Sequence, residues 1–157
     1  MKRRVCIWVL LAAAALPGGC QDRQEAPAVT LGSRRWLVDL ATTRQQRYTG
    51  LSGRQHLGEN VGMLFIYPEP KVLEFCMRGC YIPLDIAFLD ADRRVVAMHT
   101  MSVEPDMIGQ VAYSSDVPAQ YALEVGAGQL ARAGVRLGDQ ADFSPAVPPP
   151  AKAEAGL

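Results

Sequence analysis

Apolar residues fall in short, separate runs along this chain, and most of the runs read as strands. Trp36 to Ala41 (WLVDLA) alternates apolar and polar side chains, the period of a half-buried strand. Gly62 to Tyr67 (GMLFIY) is a continuous apolar run ended by Pro68-Glu69-Pro70, as expected of a buried strand stopped by a turn. Val72 to Met77 (VLEFCM) and Ile82 to Leu89 (IPLDIAFL) follow. The polar turn ADRR, Ala91 to Arg94, then leads into VVAMHTM, Val95 to Met101, and two strand patterns around a short turn predict a hairpin. Gln120 to Val125 (QYALEV) is a further strand, and VRLGDQADF from Val135 closes the pattern. Helical signals are confined to two places. Thr42 or Thr43 caps a short helix in TTRQQRYTG, which Gly50 stops, and GAGQLARAG from Gly126 offers one or two turns closed by Gly134. Many short strands with two short helices predict a mainly β chain, a single compact β-sandwich or barrel-like domain.

The two ends of the chain differ from this pattern. MKRRVCIWVLLAAAALPGGC has a basic start, an apolar run from Val5 to Leu16 and small residues before Cys20, the pattern of a secretory signal. Its end is similar to a bacterial lipobox, with Gly18 and Gly19 in the small positions and Pro17 where an aliphatic residue is usual. By that resemblance residues 1–19 are a signal peptide and Cys20 becomes the lipidated first residue. Gln21 is not the aspartate that retains lipoproteins at the inner membrane. The expected location is therefore the cell envelope, at the outer membrane and facing the periplasm. Residues 20–28 then form the acylated cysteine and a flexible tether, 29–143 the β domain, and 144–157 a disordered tail rich in Pro and Ala.

Removing residues 1–19 takes away Lys2, Arg3 and Arg4 and leaves 13 basic against 16 acidic side chains, a net charge of −3. No basic stripe suggests nucleic acid as a partner. The membrane, reached through the lipid anchor, is the expected partner, and the sequence names no protein or small molecule besides. No cofactor is expected.

The candidate chemistry is concentrated in FCMRGCYIPLDIAFLD, Phe75 to Asp90. If Phe75 to Ile82 were one extended strand, Cys76 and Cys80 would lie ~13 Å apart, whereas a disulfide needs Cα atoms at roughly 5–6 Å. A Cys76–Cys80 disulfide, favoured in an oxidising compartment, thus requires the chain to turn at Arg78-Gly79, where glycine accepts positive φ. The alternative is a soft-metal or thiol redox site, because Cys76, Met77 and Cys80 supply three sulfurs of the kind that suit Cu(I). Asp85 shares a strand face with Pro83, Ala87 and Leu89, so it needs a partner; Arg47, Arg54 and Arg78 are the candidates. Arg47, Arg54, Arg78 and Asp85 therefore form a candidate ligand-binding group. A hydrolase using Asp85 is the remaining alternative, although no second carboxylate stands at a telling position. His99 reads as structural and His56 as exposed, too few and too far apart for a zinc site. Asp90, Asp92, Glu104 and Asp106 are spaced like turn residues rather than a calcium loop. No nucleophile elbow, phosphate loop or metalloprotease helix is present. A non-catalytic binding or accessory role is the favoured reading.

Several of these stretches together resemble the domain of unknown function 192 family. GMLF (Gly62 to Phe65) matches a strand of that family. Its central motif is met at Phe75, Met77, Ile82, Pro83, Leu84, Asp85, Ile86, Phe88 and Asp90. LEVGAG (Leu123 to Gly128), GVRLGD (Gly134 to Asp139) and QRYTGLSGR (Gln46 to Arg54) match the rest, so the resemblance spans about Val29 to Phe143. Gln46 and Ser52 stand where the family has Glu and Met, and Arg78-Gly79-Cys80 replaces K-N-T. The resemblance implies a compact, mainly β domain, often exported, with no established activity and no catalytic residues to carry over.

Overall fold

The computed structural model describes residues 25–151. The expected signal peptide, the lipidated Cys20, the first part of the tether and residues 152–157 lie outside them. Within them the chain is mainly β, as expected. In chain order it forms β1 (Ala28–Leu31), β2 (Arg34–Ala41), α1 (Arg44–Thr49), β3 (Val61–Lys71), β4 (Glu74–Phe75), β5 (Leu84–Leu89), β6 (Val95–Met101), β7 (Tyr113–Ser114), β8 (Ala119–Gly126), α2 (Gln129–Arg132) and β9 (Asp142–Phe143).

Seven strands make one curled sheet in the order β6-β5-β8-β3-β2-β1-β9, and β4 pairs with β7 in a second, two-stranded sheet. The β5–β6 hairpin forms as its pattern predicts, with Leu84 opposite Met101. Its turn is closed by Asp90, whose Oδ1 accepts from the Arg94 N–H at 2.8 Å. Neighbours in the large sheet run antiparallel except β2 and β3, which are parallel. A parallel pair needs a long crossover, and residues 42–60, carrying α1, supply it. The curl brings the sheet's two edges to one segment of chain. The Gly138 N–H donates to the Val95 carbonyl at 2.8 Å and the Ala141 N–H to the Arg93 carbonyl at 2.9 Å. The next two residues, Asp142 and Phe143, pair with β1 as β9.

Strand alternation sends side chains to two cores, one on each face. Leu64 and Ile66 of β3, Leu123 and Val125 of β8 and Ala87 and Leu89 of β5 join Trp36, Val38 and the α2 residue Leu130 on one face. Met63 and Phe65, Ala122, and Ile86 and Phe88 join Leu51, Leu73, Met77 and Cys80 on the other. Burial on both faces is why β3, β5 and β8 read as continuous apolar runs.

Some boundaries differ from expectation. Pro68-Glu69-Pro70 does not end β3, because the strand bulges between Ile66 and Lys71 and resumes its pairing at Lys71 opposite Ala119; a bulge tolerates proline where a regular ladder does not. The strand expected over Val72 to Met77 shrinks to β4, since the chain turns immediately afterwards. Ser144, assigned to the tail, is buried. Its Oγ accepts from the Ala28 N–H at 3.0 Å and its own N–H donates to the Ala28 carbonyl at 2.9 Å, and Val147 packs on the first core.

Candidate functional site

Two short pieces of chain stand above the second core and face each other. The first is α1. Thr43 is its N-cap, with Oγ1 accepting from the Gln46 N–H at 3.2 Å while Gln46 Oε1 accepts from the Thr43 N–H at 3.0 Å. This is a reciprocal capping box, and Gly50 ends the helix as expected. The second is the turn Met77 to Cys80. The Cys80 N–H donates to the Met77 carbonyl at 3.1 Å, and Gly79 takes φ 64°. A residue with a Cβ is disfavoured there, so the turn inferred at Arg78-Gly79 forms for the reason anticipated.

The two pieces are tied together. Ser52 Oγ donates to the Arg78 carbonyl at 2.7 Å, and the Gly53 N–H donates to the Gly79 carbonyl at 2.8 Å. From behind, a loop braces the turn. Glu104 accepts from the backbone N–H groups of Gly109, Gln110 and Val111 at 2.7–2.9 Å. Those three donors, Val111 first, hold its carboxyl below the usual range. Gly109 sits so close that a Cβ there would lie 2.8 Å from both Arg78 Cβ and Cys76 Sγ.

Between α1 and the turn is a cleft of about 210 Å³, partly open to solvent. Phe65 and Glu124 line it from the sheet, with Arg47, Tyr48, Cys76 and Arg78 among its other lining residues. Arg47 donates to the carbonyls of Thr42 at 2.6 Å and Ile66 at 2.9 Å and lies over the Tyr67 ring. Arg78 donates to the Tyr48 carbonyl at 2.8 Å and stacks over that residue's ring at 4.0 Å. Neither has a carboxylate partner among the described residues, where the ion pairs are Arg35–Glu25 and Arg54–Asp39. A guanidinium carries five donors, so both keep hydrogen-bonding capacity.

Glu124 is the residue the sequence reading passed over. It lies mid-strand on β8, between Ile86 of β5 and Met63 of β3, and is 5% exposed. Its carboxyl makes no hydrogen bond to a described residue, yet no side-chain oxygen among those residues is both sealed from solvent and unpartnered, so the Glu124 oxygens open onto the cleft. Burial pushes its pKa up to about 8, so at neutral pH the protonated carboxyl predominates. The signal was available: an acid inside the apolar run QYALEV raises the same question as Asp85 in IPLDIAFL.

The expected site residues divide. Arg47, Arg78, Cys76 and Cys80 come together at the cleft, while Arg54 pairs with Asp39 and does not line it. Asp85 lies on the opposite face of the sheet and takes none of the three arginines as partner. Oδ1 accepts from Thr100 Oγ1 at 2.8 Å and Oδ2 from the Leu130 N–H at 3.1 Å, so it anchors the start of α2 to β5. The short β5–β6 hairpin and α2 reach it first.

The disulfide expected between Cys76 and Cys80 is not formed, and both are free thiols. The turn that could have closed it instead directs the Cys80 thiol to the Arg78 carbonyl at 3.7 Å, and the Cys76 sulfur lies against Gly109. Burial, then the nearby Glu124 carboxyl, push the Cys80 thiol up to about 11. Such a thiol is a poor nucleophile at neutral pH. Met77, the third sulfur of the copper alternative, is fully buried in the second core and does not line the cleft. His99 is structural, with Nε2 donating to the Ser114 carbonyl at 2.7 Å and its ring between Phe88 and Tyr113.

Comparison with known proteins places this geometry in a family. No curated protein matches the chain. Among solved structures, a protein of unknown function from Novosphingobium aromaticivorans DSM 12444 superposes with a TM-score of 0.66 at 32% identity, over 74% of this chain and 82% of its own. A protein provisionally named a transcription regulator, from Sinorhizobium meliloti 1021, gives 0.66 at 29% identity over 74% and 91%. The family model described as DUF192, Uncharacterized ACR, matches residues 28–143. That span runs from the first residue of β1 to the last of β9, and the chain belongs to the domain of unknown function 192 family.

Proposed function

We propose that this chain is a lipid-anchored domain of the bacterial envelope that binds a small molecule, without transforming it, in the cleft between α1 and the Met77–Cys80 turn. The observation that carries the binding role is polar capacity left unused in one confined place. Among the described residues Arg47 and Arg78 lack carboxylate partners and the Glu124 carboxyl has no hydrogen-bond partner, and all three line the same 210 Å³. A bound molecule would supply the partners that the protein does not. The lack of a nucleophile–base pair among the described residues supports binding over turnover: the Cys80 thiol is held protonated, and Asp85, the acid of the hydrolase alternative, is occupied in bracing α2.

The anchoring role rests on Cys20 and the signal pattern before it. No helix among the described residues is long and apolar enough to cross a membrane, and acyl chains on Cys20 would supply the attachment. The net charge of −3 after removal of the signal gives no reason to extend the regulator name of the Sinorhizobium meliloti relative to this chain.

Both roles are tested on one preparation. The full chain is expected in the outer-membrane fraction, and Cys20→Ala is expected to leave it. Native mass spectrometry of the purified chain is expected to show a small co-purifying mass that Arg78→Ala reduces. A protein that stays soluble with Cys20 intact would end the anchoring role. An empty cleft in every preparation, or turnover of an envelope component, would end the binding role.

A further inference from the structure

The groups around the cleft differ in chemistry from one side to the other, and that asymmetry describes a ligand. This inference rests on the cleft being the binding site. Facing Glu124 or lining the same space are Arg47 and Tyr48 of α1, Tyr67 of β3, Glu74 of β4, and Cys76, Arg78 and Cys80 of the turn. The adjoining strand positions, Met63 and Ile86, carry no charge. Two guanidiniums on the walls with spare donors match the planar two-oxygen geometry of a carboxylate. Phe65 and Phe75, edge to face at 4.9 Å, add apolar wall. A volume of 210 Å³ exceeds the ~150 Å³ of an apolar cavity that accepts benzene. At the sheet lies one carboxyl with no protein partner. Burial keeps it neutral, so it presents both an O–H donor and a carbonyl acceptor. A hydroxyl, which is donor and acceptor at once, satisfies both halves.

We propose that the cleft takes a small hydroxylated organic acid, its carboxylate held by Arg47 and Arg78 and its hydroxyl paired with Glu124. A second carboxylate on the ligand would place charge against the Glu124 site. An unsubstituted acid would leave Glu124 unpaired. The hydroxyl is therefore the group the site selects.

The test is calorimetric titration of the purified full chain with two acids that differ only by one hydroxyl, para-hydroxymethylbenzoate and para-methylbenzoate. At about pH 6 the hydroxylated acid is expected to bind about tenfold more tightly, the scale of a hydrogen bond made in a buried site. At about pH 9, above the Glu124 transition, the preference is expected to collapse, because the ionised carboxyl has no proton to donate. Glu124→Gln keeps a donor and an acceptor and is expected to hold the preference at both pH values. Glu124→Leu is expected to lose it at both while still binding para-methylbenzoate. Equal affinity for the two acids in the wild type would overturn this inference and leave the binding role standing. So would a co-purifying molecule that carries no carboxylate. No binding of either acid, together with an empty cleft in the purified chain, would overturn both.

Discussion

Two buried acids sit on this sheet, and their surroundings give them different tasks. Asp85 is 3% exposed and both its oxygens are taken, by Thr100 and by the Leu130 N–H. Glu124 is 5% exposed, and its oxygens open onto the cleft without a bond to a described residue. Asp85→Ala should leave the Leu130 N–H buried and unpaired and cost about 2–3 kcal/mol. Asp85→Asn keeps one acceptor and should cost roughly half of that. Urea denaturation read by circular dichroism would give both values, and occupancy of the cleft should be unchanged in folded Asp85→Asn. A loss of binding there with stability intact would return Asp85 to the site. The sequence shows that each residue is an acid within an apolar pattern. It cannot show which has a partner, because the partners come from β6 and α2 in one case and are absent in the other.

At the scale of elements, the local signals were legible and the long-range pairings were not. The α1 cap, the Gly50 stop, the turn at Arg78-Gly79 and the β5–β6 hairpin each depend on residues within a few positions of one another. By contrast, β1, β7 and β9 are four residues or fewer, too short to show a period; β7 pairs with β4 and β9 with β1, partners distant in sequence, although β1 also pairs with the adjacent β2. The parallel β2–β3 pair was hidden for the same reason. The cleft depends on both kinds of contact, and α1 is its most exposed part, six residues with none buried. So short a helix leans on its cap. Thr43→Ala should cost about 1 kcal/mol and loosen the wall that carries Arg47. Hydrogen exchange should then show faster protection loss over residues 44–50 than in the β8 core. Equal protection in the variant and the wild type would mean that Arg47's bonds to the Thr42 and Ile66 carbonyls hold the helix without its cap.

For the molecule as a whole, the cost of burying Glu124 in the second core should appear as a pH dependence of stability. Its carboxyl titrates at about 8 when folded and near 4.3 in an unfolded chain. Between those values the native state holds a proton that the unfolded state has released. Stability must then fall as pH rises through the window, by about 1.4 kcal/mol per unit, and level off above it. Glu104 acts in the opposite sense, because its folded carboxyl is held low by the backbone donors of its loop. Its contribution is present above the unfolded value and is lost only as pH falls into the acidic range, so it does not mask the decline at higher pH. Unfolding free energies measured in urea from about pH 5 to pH 9 should therefore decline to a plateau near pH 8, a total of a few kcal/mol. In Glu124→Gln the same series should be flat over that range, and the variant should be more stable than the wild type at pH 7.5 and above. A flat wild-type curve would mean that water or a bound molecule already solvates the carboxylate. In that case Glu124 would reach the cleft as an anion, and the ligand group it meets would be a cation rather than a hydroxyl.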